Sequence, residues 1–107
     1  MTLSLELGQC WPGLRVPLEV QSISAAGLAV LTGFCGSLRI DQGAVDAQTG
    51  EALTFVLERN GESMMLRANL VWLELSGEPD DTQRLELIVD TTDQPGWWEV
   101  QSALALD

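Results

Sequence analysis

The chain contains no histidine, no lysine and no tyrosine. Without an imidazole it lacks the commonest general base, the usual activator of a catalytic thiol and a principal zinc ligand. Cysteine is nearly absent too: Cys10 and Cys35 stand alone, far apart and in no CxxC arrangement, which argues against structural zinc. No G-x-S-x-G elbow occurs, and no pair of carboxylates is singled out by its spacing for acid–base work. These absences together read as a chain that is not an enzyme.

Positive charge is equally scarce. Five arginines face sixteen acidic residues, for a formal net charge of −11. A nucleic-acid binder needs a basic footprint to neutralise phosphates, yet Arg15, Arg39, Arg59, Arg67 and Arg84 are scattered along the chain. The same balance disfavours an anionic membrane surface, and no apolar run approaches the roughly 18 residues that a membrane helix needs. Strong acidity serves solubility, and it also suits a basic protein partner. Glu78, Asp80 and Asp81 lack the spacing of an EF-hand loop and read as a solvated acidic loop.

The opening residues 1–7 have no basic n-region, and their apolar residues alternate instead of running on. They read as a strand rather than a secretory signal. The expectation is a cytoplasmic protein with reduced thiols and Cys35 packed as a small apolar side chain, with a Cys10–Cys35 disulfide as the alternative.

What the sequence does contain is period-two alternation. With 46% apolar and 20% charged residues over 107 positions, it has the balance of one folded domain. Leu3, Leu5 and Leu7 place one apolar face on a first strand, and Val16, Leu18 and Val20 do so on a second. Pro17 cannot donate to a ladder, so the second strand is expected at an edge or bulged there. Leu28 to Leu31 forms a third strand, and Gly33 to Gly50 reads as a long connection around a short 37–40 run.

Leu53, Phe55 and Leu57 define a fourth strand, joined through Asn60-Gly61 to a fifth over Met64 to Leu75. Strict alternation puts Leu66, Ala68, Leu70 and Trp72 on one face of that fifth strand and Arg67, Asn69, Val71 and Leu73 on the other. Its far end is then apolar on both faces, and a homodimer through it is one way to cover it. Leu85, Leu87 and Val89 mark a sixth strand. After Pro95 the period changes: Trp97, Val100 and Leu104 recur at helical spacing. The expectation is an all-β domain over 1–107, a small six-stranded antiparallel barrel over about 2–92 with a short C-terminal helix over about 95–106 plugging its mouth.

Residues 22–28, Ser-Ile-Ser-Ala-Ala-Gly-Leu, resemble the (D/N)-x-S-x-x-G motif of the PilZ family, with Ser22 in place of the first Asp or Asn. Ala68 to Trp72 is similar to the strand of that family that commonly ends in Val-Val-Trp, and Arg84 to Asp90 falls where its closing strand belongs. The likeness spans about residues 14–92 and implies a PilZ-like barrel in bacterial cyclic di-GMP signalling. In such domains an upstream R-x-x-x-R segment clamps the ligand's phosphates and guanine faces. Here that segment is missing: before Ser22 the only arginine is Arg15, within the second expected strand. A dinucleotide with two phosphates needs planar, bidentate guanidinium donors, so one arginine in a field of −11 is a poor substitute.

Arg15, Ser22, Ser24 and Gly27 are therefore the candidate ligand-binding residues. Read without the family, Ser24-x-x-Gly27 is first of all a turn, held by a serine hydroxyl and a glycine of positive φ. Adjacent tryptophans on a helix differ by about 100° and cannot share one core, so one of them is expected partly exposed, and Trp97 and Trp98 together are the candidate protein-contact residues. The leading expectation is a regulatory adaptor working through a protein partner. The alternatives are a genuine cyclic di-GMP receptor using the 22–27 turn and an assembly subunit of a larger bacterial machine.

Overall fold

In a computed structural model, residues 2–6, 15–35, 49–77, 83–92 and 95–106 are described. Six strands, β1 (Thr2–Glu6), β2 (Arg15–Ile23), β3 (Leu28–Cys35), β4 (Ala52–Arg59), β5 (Glu62–Gly77) and β6 (Gln83–Asp90), precede one helix, α1 (Trp97–Leu106). All neighbouring strands are antiparallel, and they close into a barrel in the order β1-β2-β3-β6-β5-β4. The consecutive strands β4, β5 and β6 pair in sequence while β3 returns to lie beside β6, which is Greek-key connectivity. The expected six-stranded antiparallel barrel with a short C-terminal helix is the architecture found.

Alternation builds the core as the sequence reads. Leu3 and Leu5, Val16 and Leu18, Ala29 and Leu31, Phe55 and Leu57, Leu66, Ala68 and Leu70, and Leu85, Leu87 and Val89 all point inward and are buried. The helix closes one mouth: Trp97 and Val100 join the same core, and the Trp97 ring meets Phe55 edge-on at 5.5 Å and 73°. Only the first half of β5 pairs with β4, and only its second half, from Asn69 onward, pairs with β6. On the first half no strand among the described residues pairs with the side away from β4, and the Trp97 indole Nε1–H donates to the Arg67 carbonyl at 3.2 Å. The plug thus supplies a polar partner as well as apolar bulk. The side chain of Leu104, the last residue of the expected helical stripe, lies outside the described residues.

Two expectations about strand irregularity are corrected. β2 is not an edge, since it pairs with both β1 and β3, and its bulge falls between Val20 and Ser22 rather than at Pro17. Pro17 is accommodated because it faces Ser4 on β1, while the register with β3 begins one residue later at Leu18. The bulged Gln21 donates its Nε2–H to Thr32 Oγ1 at 2.8 Å. In β5 the register shifts between Leu70 and Trp72, so Leu70 and Trp72 do not share a face. Leu70 is buried and Trp72 turns outward. One extra residue in a strand reverses everything after it, because the side-chain period is two.

β3 is longer than the sequence suggests, running through Gly33 to Cys35. The 37–40 run, Cys10, Trp11, Arg39 and the acidic positions Glu78, Asp80 and Asp81 lie outside the described residues, as does the Cys35 side chain. The Asn60-Gly61 turn has φ of 52° and 82°, the two positive values that a two-residue type I′ hairpin demands. No helix among the described residues is long and apolar enough to cross a membrane.

Candidate functional site

The β2–β3 turn holds Ser24 and Gly27, with Ser22 just before it near the end of β2, and the Ser24 and Gly27 groups bond within the fold. Ser24 N–H donates to the Leu28 carbonyl at 2.9 Å, and Ser24 Oγ accepts from Leu28 N–H at 3.1 Å. Gly27 N–H donates to the Ser24 carbonyl at 3.0 Å, closing the turn, and Gly27 has a φ of 86°. The Gly27 carbonyl in turn accepts from both Thr91 N–H and Thr91 Oγ1 at the end of β6. Ser22 is exposed on the last stretch of β2, opposite Val30.

Arg15 does not join them. It starts the nine-residue strand β2 whereas the turn follows its end, a separation of roughly 26 Å at about 3.3 Å per residue. Its guanidinium donates to Glu58 Oε1 at 2.8 Å, reaching from β2 across β1 to β4. The two partners are each about half exposed, so the pair is screened and weak, but it occupies the one arginine that precedes the turn.

Beside the turn, Asp90 accepts at Oδ1 from Thr92 N–H at 3.0 Å and from Thr92 Oγ1 at 2.8 Å. These bonds, the backbone one first, hold the Asp90 carboxyl below its ordinary range. A Cβ on Gly27 would stand 2.6 Å from Thr92 Cγ2, so the turn and the Asp90–Thr92 bonds share one tight corner. What this corner can do chemically is hold β2, β3 and β6 in register; it presents no free cationic donor.

On α1 the tryptophan pair divides, and one of the two contact candidates is corrected: Trp97, 1% exposed, packs in the barrel core and cannot meet a partner, whereas Trp98 is 71% exposed. Between the β4–β5 hairpin and the helix lies an open groove of about 430 Å³, lined by Leu57 and Met64 and by the polar residues Arg59, Glu62 and Glu99, among others. Its charges are mixed, one arginine against two glutamates. Among the described residues no cluster of three or more Asp, Glu, Cys or His side chains could hold a metal ion.

The structure adds a surface that alternation concealed. Trp72 is 41% exposed, and with Leu28 and Val71 it makes the outer side of β3, β6 and β5 partly apolar. The sequence signal is the unbroken Leu70-Val71-Trp72-Leu73 run, which leaves apolar side chains on the outer face whichever register the strand takes. Comparison with protein-family models, with curated proteins and with solved structures returned no match to this chain.

Proposed function

We propose that the chain is a PilZ-like regulatory adaptor of bacterial cyclic di-GMP signalling, cytoplasmic and non-enzymatic, that acts mainly through protein contacts and binds cyclic di-GMP weakly or not at all. The observation that carries this reading is the fate of the turn. The Ser24 hydroxyl and the Gly27 amide and carbonyl bond the fold's own backbone and Thr91. Arg15 meanwhile sits at the far end of β2 on Glu58. A cyclic dinucleotide needs guanidinium forks for its phosphates, and none of the four described arginines lies on this turn. The outward Trp98, large and rigid, is the kind of side chain that anchors a protein interface.

Titration calorimetry of the folded chain with cyclic di-GMP, at low and physiological salt, tests this directly. The reading predicts no binding tighter than the millimolar range at either salt. Micromolar affinity would make the protein a receptor and overturn it.

A further inference from the structure

Two rows of side chains cross the outer face of the barrel side by side, and their chemistry differs. In one, Ser22 faces Val30, Val30 faces Ile88, and Ile88 faces Trp72. The β5 bulge leaves Val71 unpaired beside Trp72, and both are exposed. In the neighbouring row Glu19 faces Thr32, Thr32 faces Glu86, and Glu86 faces Glu74. An apolar row of Val30, Ile88 and Trp72, about 10 Å long across three strands, therefore runs alongside an acidic one of about 14 Å across four, about 7 Å away along the strands.

The acidic row is costly to the free protein. Glu74 and Glu86 stand directly opposite each other, and like charges so placed destabilise a sheet. Among the described residues the nearest cation, Arg84, reaches Glu86 only at 3.7 Å, and Arg67 lies on β5 beyond Asn69, on the far side of the apolar row. A second copy of the chain is a poor occupant of this face, because each copy carries a net charge of −11 and offers no basic stripe to meet the carboxylates. Charge complementarity selects a basic partner instead.

We propose that this face docks a basic amphipathic helix of a partner protein, whose apolar stripe lies over Val30, Ile88 and Trp72 and whose adjacent arginine or lysine stripe meets Glu19, Glu86 and Glu74. Rows of about 10 and about 14 Å match two to three helical turns at 1.5 Å per residue. The inference rests on the protein-contact reading above and places the contact on a different surface from Trp98.

The test uses the whole isotope-labelled chain and two synthetic helical peptides of about 14 residues with the same leucine stripe, one flanked by arginines and the other by glutamates. The arginine peptide is expected to shift the Trp72 indole and the Val30 and Ile88 amides, at least tenfold more tightly at low than at high salt. The paired substitutions Glu74→Gln and Glu86→Gln, which keep the apolar row intact, should weaken it at least tenfold, and Trp72→Ala should abolish it. No shift at Trp72, or equal binding of the glutamate peptide, overturns the proposal. Shifts confined to Trp98 would overturn it while leaving the protein-contact reading in place, whereas tight cyclic di-GMP binding would sink that reading without touching Trp72.

Discussion

Thr91 donates twice to the carbonyl of Gly27, through its backbone N–H at 2.8 Å and through Oγ1 at 2.8 Å. The contact joins the β2–β3 turn to the end of β6, and Thr91 is 5% exposed, so water does not replace a lost bond easily. Thr91→Val keeps the backbone bond and removes the other. Urea unfolding should show a loss of about 1 kcal/mol.

Gly27→Ala should cost more. The substitution forces a side chain into a φ of 86° and drives its Cβ against Thr92 Cγ2. A destabilisation above about 1 kcal/mol is expected by the same measurement, and a neutral result would contradict the role assigned to this turn.

The tryptophan pair separates core from surface on one helix. Trp97→Ala removes a ring packed on Phe55 and a hydrogen bond to the Arg67 carbonyl, and should cost about 3–5 kcal/mol. Trp98→Ala should change stability by no more than about 0.5 kcal/mol. If Trp98→Ala unfolds the chain, Trp98 belongs to the core and not to a contact surface.

Asp90 gives a pH signature. Its carboxyl is held low by the Thr92 N–H and then by the Thr92 hydroxyl. A carboxyl depressed in the folded state contributes stability that is present above its unfolded value and is lost as pH falls through the folded one. Carboxyl-carbon NMR titration should therefore place the Asp90 midpoint below that of an ordinary aspartate. Thr92→Val should raise it only part of the way, since the stronger backbone bond survives.

Alternation alone revealed the barrel, its inward leucines and the plugging helix, because a period of two or 3.6 is a direct projection of which side chains face the core. Pairing order and bulges are a different matter. Nothing in residues 20–22 or 70–72 says which of several positions will be looped out, since that choice depends on the twist and register of neighbouring strands. Strict alternation thus puts Trp72 on the wrong face, and on the uninterrupted helix the 100° step requires one of Trp97 and Trp98 to leave the core, while the burial of Trp97 removes it from the contact pair. Ser24 and Gly27 were legible as a turn from their residue types, but the Thr91 contact that fixes it, 64 residues away, was not. The separation of Arg15 from that turn needed only the strand length. Its ion pair with Glu58 needed the barrel to close.

If the Ser24–Gly27 turn serves the fold and not a ligand, thermal unfolding of the native chain and of Ser24→Ala, each with and without about 50 μM cyclic di-GMP, shows it in one experiment. A ligand that binds the folded state at micromolar affinity raises its Tm, while one of millimolar affinity does not at this concentration. Both Tm values should stay unchanged on adding the ligand, and Ser24→Ala should be lower by the same margin in either condition. A ligand-dependent rise in the native chain that disappears in Ser24→Ala would contradict it.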